Sequence, residues 1–209
     1  REVSFNSPWD ITYSKNKLYI TMRGSHQIWV LNLLTLDADV YAGSGSENLF
    51  DGKLQIASLA QPTGLTKDSL RLYFTDSETS SVRSIGLKTS PIVKTLLGKG
   101  LLEFGDLDGL SGKAKLQYPM GIAFSNNKLY IADTLNHKLK QFDLDKNELI
   151  TFAGSGKIGA VNSNLSDSSF FEPQGIAVFD HLVYVADTNN HLIRVINSQA
   201  NTVSNFDFE

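Results

Sequence analysis

An all-β fold built from four similar units follows from three features of this sequence. Four prolines, Pro8, Pro62, Pro119 and Pro173, recur at intervals of 54, 57 and 54 residues. Eleven residues after each stands a tyrosine: Tyr19, Tyr73, Tyr130 and Tyr184. Between these markers the apolar residues fall in short runs of strand length, with no helical period of 3.6. Further offsets repeat with the prolines. Three residues before them are Phe5, Leu59, Leu116 and Phe170. Two after them are Asp10, Gly64, Gly121 and Gly175; fourteen after, Met22, Asp76, Asp133 and Asp187; eighteen after, His26, Ser80, His137 and His191. The first copy departs at two of these offsets and the second at one.

Each unit divides into four strands. The first follows the proline, as in Gly121-Ile122-Ala123-Phe124, and ends at a turn rich in Asn, Asp, Ser or Lys. The second is an apolar run, such as Leu129-Tyr130-Ile131-Ala132 or Val183-Tyr184-Val185-Ala186, closed by Asp133 or Asp187. The Asp-Thr-x-Asn segment then turns the chain through side-chain bonds to the nearby backbone. A third strand alternates, as in Leu192-Ile193-Arg194-Val195-Ile196. The fourth ends on glycine in Val40-Tyr41-Ala42-Gly43, Thr95-Leu96-Leu97-Gly98 and Thr151-Phe152-Ala153-Gly154, while Val203 and Phe206 hold this region in the last copy. Four short strands at a period in the low fifties predict propeller blades, since β-helix repeats are shorter. The blades are placed at about 5–45, 57–100, 114–156 and 168–209, within one domain over 1–209. Pro91 stands outside the register.

Composition narrows the function. With 209 residues, 41% hydrophobic and 20% charged, the chain buries a sizeable core and is not disordered. Its 19 Lys plus Arg against 22 Asp plus Glu give a net charge of -3, so nucleic acid is not an expected partner. No cysteine is present, which excludes disulfides, thiol catalysis and cysteine-bound zinc. No apolar run approaches the roughly 20 residues of a membrane helix and no secretory leader is visible; a soluble chain is expected, without an assigned compartment.

Several residue sets invite a chemical reading. Asp76, Asp133 and Asp187 recur at one position, which marks a turn-fixing device, because an active site is normally unique. His26, His137 and His191 are equivalent in different blades, so symmetry spreads them instead of converging them on one zinc ion. The Gly-x-Gly segments at Gly43, Gly98 and Gly154 follow strand sequence and precede polar connectors, unlike a phosphate loop that opens a helix. The connectors themselves are the most individual part of the chain. Glu47 and Asp51 in the first, and Glu103, Asp106 and Asp108 in the second, are candidates for a basic peptide partner or for calcium. The third replaces Asp-Gly with Ala160-Val161. Trp9, Trp29, Tyr41 and Phe50 offer an aromatic surface in the first unit. No nucleophile with an adjacent base is visible, so no catalytic or cofactor residue is assigned.

Tyr184-Val185-Ala186-Asp187-Thr188-Asn189-Asn190-His191-Leu192-Ile193-Arg194 and Tyr130-Ile131-Ala132-Asp133-Thr134-Leu135-Asn136-His137 resemble the Asn-His-Leu (NHL) repeat. Gln61-Pro62-x-Gly64-Leu65, Tyr118-Pro119-x-Gly121-Ile122 and Glu172-Pro173-x-Gly175-Ile176 fit the same repeat. Ser7-Pro8-Trp9-Asp10, Gly24-Ser25-His26-Gln27-Ile28-Trp29 and Phe104-Gly105-Asp106-Leu107-Asp108-Gly109 resemble the propeller of NHL proteins that carry a thioredoxin-like domain. This resemblance implies an NHL β-propeller of six blades, of which four are readable, with the thioredoxin-like domain absent from this chain. It also implies a non-catalytic scaffold for protein or peptide binding. The alternative is a metal-dependent lyase or hydrolase with its site at the central channel. Open blade edges would favour self-association, because unpaired strands recruit other chains.

Overall fold

The computed structural model describes residues 5–88 and 90–207; Phe208 and Glu209, which close the last predicted unit, lie outside them. The chain divides into two compact bodies, residues 1–104 and 105–209. Each contains two antiparallel sheets, and each sheet is one blade.

In the first body, blade 1 is the sheet β1 (Pro8–Ser14), β2 (Lys17–Met22), β3 (Gln27–Asn32) and β4 (Ala38–Ala42), paired in chain order. Blade 2 has the order β5-β9-β8-β7-β6, made of β5 (Gly52–Lys53), β6 (Pro62–Lys67), β7 (Arg71–Asp76), β8 (Ser81–Gly86) and β9 (Ile92–Leu97). In the second body, blade 3 has the order β10-β14-β13-β12-β11, from β10 (Gly109–Leu110), β11 (Ile122–Ser125), β12 (Lys128–Asp133), β13 (Lys138–Asp143) and β14 (Glu148–Ala153). Blade 4 is β15 (Pro173–Phe179), β16 (Leu182–Asp187), β17 (Leu192–Asn197) and β18 (Thr202–Asn205). The all-β propeller-blade class read from the repeat is therefore the one present. Among the described residues no helix is long and apolar enough to cross a membrane.

Two blades hold five strands, not four. The connectors supply the extra one, because Gly52 and Lys53 pair with β9 and Gly109 and Leu110 pair with β14. These pairings lie ahead of the 57–100 and 114–156 ranges. A stretch that reads as polar linker thus closes the outer edge of the blade that follows it, which removes an exposed row of backbone donors and acceptors.

Two devices recur where strands meet. The residue before each marker proline is left-handed: Ser7 (φ 51°), Gln61 (60°), Tyr118 (51°) and Glu172 (49°). The proline then fixes the next φ and starts the first strand in blades 1, 2 and 4, whereas in blade 3 the strand begins at Ile122. Between the second and third strands runs a three-residue 3-10 turn: Arg23–Ser25, Ser77–Thr79, Thr134–Asn136 and Thr188–Asn190. Each is ended by a left-handed residue, His26, Ser80, His137 or His191. The fourth-strand glycines Gly43, Gly98 and Gly154 have φ near +100°, where a side chain is disfavoured, and are turn glycines.

Apolar faces of neighbouring blades interlock within each body. Tyr19, Ile28 and Ala42 of blade 1 pack with Leu65, Leu72, Phe74, Ile85 and Val93 of blade 2. Ala132, Leu139 and Ala153 of blade 3 pack with Phe170, Val183, Val185, Ile196 and Val203.

Candidate functional site

The aspartates that close the second strands are buried at 0% exposure. Asp76 accepts the Ala60 N–H at 2.8 Å, Asp133 the Gln117 N–H at 2.7 Å, and Asp187 the Phe171 N–H at 2.8 Å. Each therefore clasps the segment two residues before its blade's proline. Asp133 and Asp187 also accept from Asn136 and Asn190, the asparagines of their Asp-Thr-x-Asn turns.

Buried cations complete these clasps in two blades. Arg83 Nη1 donates to Asp76 at 2.8 Å, and its other bonds run to Ser58 O, Phe50 O and Asp51 Oδ1. Arg194 Nη1 donates to Asp187 at 2.9 Å, with Ser169 O, Val161 O and Asn162 Oδ1 as further acceptors. Blade 3 differs: the Lys140 ammonium bonds Asp106, Asp108 and Thr151, and Asp133 is left with neutral donors. The sequence spacing groups His137 with Lys140 and His191 with Arg194 as pairs bonding between blades. In the structure the histidine does so, His137 Nδ1 accepting the Glu172 N–H at 3.2 Å. The cations bind their own blade's connector instead.

This organisation places the five acidic connector residues. Asp51 accepts from Thr95 N–H and hydroxyl besides Arg83. Burial alone would raise its carboxyl, but those donors and the guanidinium hold it below the usual range. Asp106 and Asp108 are held low in the same way, against burial, by the Lys138 and Lys140 ammonium groups and by Thr151. Eleven residues before the blade-4 proline stands Asn162, the counterpart of Asp51 and Asp108. The third connector therefore keeps a polar acceptor for Arg194 at a place the Ala160-Val161 alignment misses. Glu103 is exposed in the turn after Gly100. Among the described residues no group of three or more His, Asp or Glu is placed to hold a metal ion.

Burial without a cation pushes Asp133 up to about 7, and Asp76 rises to about 6 despite Arg83. A carboxyl whose folded value lies above its unfolded one binds its proton more readily in the folded state. The folded state therefore loses stability from this group as pH rises from about 4 to about 7, and loses nothing further above that. Asp133→Asn is expected to flatten part of this slope, with Asp76 supplying the remainder. Urea midpoints at pH 5 and 7.5 measure it: the wild-type midpoint falls more than that of the variant.

Blade 1 breaks the pattern. Met22 stands where the other blades have the aspartate, and Trp29 where they have Arg83, Lys140 and Arg194. Losing both partners together avoids an uncompensated buried charge. A second break faces blade 2. At the positions one and fifteen after the proline, blade 2 has Thr63 and Ser77, whose hydroxyls bond at 2.6 Å. Blade 1 has Trp9 and Arg23 there, the guanidinium lying 4.9 Å over the indole. This pair opens a cleft of about 400 Å³ lined by Ser7, Trp9, Arg23, Gly24, His26, Glu47 and Gln61.

The cleft is built from two blades. Arg23 Nε donates to Gln61 Oε1 at 2.9 Å, and Gln61 Nε2 reaches Glu47 Oε1 at 3.5 Å. His26 Nδ1 accepts the Gln61 N–H at 3.2 Å, which leaves Nε2 to carry the proton of the neutral ring. A cation on an aromatic face, an imidazole donor, a carboxylate and an amide thus surround one opening. Trp9 is 45% exposed. Glu47, His26 and Trp9 are sequence candidates that the structure brings together. Trp29 lies elsewhere, edge-on to Phe5, Tyr41 packs on Tyr19, and Phe50 gives its carbonyl to Arg83. Arg23 and Gln61 escape the sequence reading, although the offset of fifteen from Pro8 exposes Arg23 as the one charge among Ser and Thr.

Comparison with known proteins supplies a family. A profile described as the NHL repeat matches residues 5–31 and 170–196. Protein SUPPRESSOR OF QUENCHING 1, chloroplastic, of Arabidopsis thaliana is 38% identical over 205 residues, covering 91% of this chain and 19% of its own length. NHL repeat-containing protein 2 of Bos taurus is 38% identical over 239 residues, covering 98% of this chain and 33% of its own. The chain thus spans a third or less of these relatives. An auxiliary nutrient binding protein from Bacteroides ovatus superposes with a TM-score of 0.70 at 17% identity, over 92% of this chain and 46% of that one, a likeness of fold.

Proposed function

Because the chain belongs to the NHL-repeat β-propeller family, we propose that it serves as a non-catalytic scaffold whose blade 1–blade 2 cleft binds a protein or peptide. The observation that carries this reading is Arg23 stacked on Trp9: fifteen residues after the proline the other three blades have the hydroxyls of Ser77, Thr134 and Thr188, and blade 1 has a guanidinium. Repeat positions that only hold blades together stay alike from copy to copy, whereas a binding site occurs once. Tryptophan and arginine are also the residues that dominate binding energy where proteins meet.

The groups suit a polypeptide. The Trp9 face takes an apolar side chain or a planar peptide group, and Arg23 takes a carboxylate or backbone carbonyl. Glu47 offers a basic side chain its partner. Coverage of a third or less of the relatives leaves their other regions as further sources of such a segment, and the partner itself is defined by this chemistry alone.

Selection of a random peptide library displayed on phage against the purified chain tests the reading. Enriched peptides are expected to lose at least tenfold in affinity with Trp9→Ala or Arg23→Ala, on the order of the 1.4 kcal/mol or more expected of such anchors. Peptides that bind both variants as well as the wild type, or no enrichment at all, would overturn it. Circular dichroism confirms that the variants keep their strands.

A further inference from the structure

A second cleft lies at the other end of the same two blades. The β1–β2 hairpin, the β6–β7 hairpin and the segment after β8 meet there, since antiparallel strands put these turns opposite the 3-10 turns. Ser14, Lys15, Lys17, Tyr19, Ser69, Leu87 and Lys88 line a space of about 330 Å³. We infer that this cleft is an oxyanion site for a phosphoryl or sulfuryl group, held by Lys15, Lys17 and Lys88 around the Tyr19 hydroxyl.

Three independent observations converge on it. First, three ammonium groups from two blades share one small opening in a chain of net charge -3, and none has an ion-pair partner among the described residues. All three side chains are exposed, and ammonium groups gathered at one cleft raise the local concentration of anions. Second, Tyr19 is 6% exposed and packed edge-on against Tyr41 at 4.8 Å, yet its hydroxyl makes no hydrogen bond among the described residues. The hydroxyl is not sealed from solvent, so it can donate to a group that enters the cleft. Third, blade 2 shows what such a phenol can do. There the equivalent Tyr73 hydroxyl donates to an oxyanion, Asp68 Oδ2, at 2.9 Å. The blade-1 counterpart of Asp68, six residues after the proline, is Ser14, so no carboxylate of that hairpin occupies the place beside the Tyr19 phenol.

The surrounding charges agree. Lys88 also borders a neighbouring hollow with Arg71 and Lys94, which extends the positive field. Asp68, next to Ser69, is the acidic group nearest in sequence, and its oxygens are occupied by Leu70 N–H, Arg71 N–H and the Tyr73 hydroxyl. Ammonium groups act on a phosphoryl oxygen as point charges, while the phenol and the Ser14 and Ser69 hydroxyls donate directional bonds.

Isothermal titration with pyrophosphate, inorganic phosphate, O-phosphoserine and sulfate, against chloride at equal ionic strength, tests the site on the full chain. Pyrophosphate is expected to bind well above the chloride control, and Lys17→Ala and Lys88→Ala to weaken it about tenfold each. Tyr19→Phe, which keeps the packed ring, is expected to weaken it about threefold to tenfold. O-phosphoserine binding as tightly as phosphate identifies a monoester carried on a larger molecule; phosphate alone identifies the free ion. No heat beyond chloride, or binding untouched by all three substitutions, would overturn the inference. Trp9→Ala leaves this site intact, so its failure is separable from that of the peptide cleft.

Discussion

Arg83→Ala is expected to destabilise the chain by roughly 3–5 kcal/mol, the cost of breaking a buried ion pair from one side. Both partners, Arg83 and Asp76, have 0% side-chain exposure. Truncation strands the Asp76 carboxylate in the core and takes the guanidinium away from Ser58 O, Phe50 O and Asp51, which keep only their backbone and Thr95 donors. The chain contains its own control for this argument, because blade 1 has replaced both members with Met22 and Trp29. The double variant Asp76→Met, Arg83→Leu is therefore expected to be more stable than Arg83→Ala alone, although Ser58 O and Phe50 O are left with one backbone donor each. Urea denaturation of the single and double variants measures the order. A double variant as unstable as the single one would show that the bonds to the connector, not the ion pair, carry the loss.

Gly121→Ala is expected to cost about 3 kcal/mol, at the upper end of what overpacking exacts. A Cβ on Gly121 would stand 1.9 Å from the Gln174 carbonyl oxygen, a backbone atom that cannot swing aside. Blades 3 and 4 would have to separate there, next to the Thr134 hydroxyl that donates to Pro173 O at 2.8 Å. At Gly175 the nearest atom to such a Cβ is the Ala186 side chain at 3.3 Å, so Gly175→Ala serves as the mild comparison. Thermal melts of the two variants are expected to differ, with Gly121→Ala lower by several degrees.

The period of the prolines carries most of the fold, because each marker does a local job that composition reveals. Proline leads into the first strand, the glycine two residues on admits a neighbouring backbone at Gly121, and aspartate fourteen residues on seals the turn. Asp10 shows how a departure is absorbed: its carboxylate takes the Leu65 N–H of blade 2 at 2.7 Å and the Ile11 N–H at the same distance. What stayed hidden depends on distance along the chain. Asp51 and Arg83 are 32 residues apart, and only a shared offset from the proline, not a local pattern, ties them. The cleft at Arg23 was half visible, since Glu47, His26 and Trp9 read as polar loop, repeat histidine and aromatic surface. Nothing in their spacing says that a hairpin turn, a connector and a pre-proline residue meet.

The bonds from a blade's buried cation to the connector before it alter what counts as one inheritable piece of this chain. A repeat cut at its proline leaves behind, on the preceding connector, several acceptors of its arginine or lysine: Ser58 O, Phe50 O and Asp51 for Arg83, and Asp106 and Asp108 for Lys140. An excision, duplication or graft made there would deliver a blade whose buried cation has lost those bonds. The segment that travels with its own counter-charge runs from just past the fourth-strand glycine to the next such glycine, from Ser44 to Gly98 in blade 2. Any attempt to insert a further blade has to respect that phase.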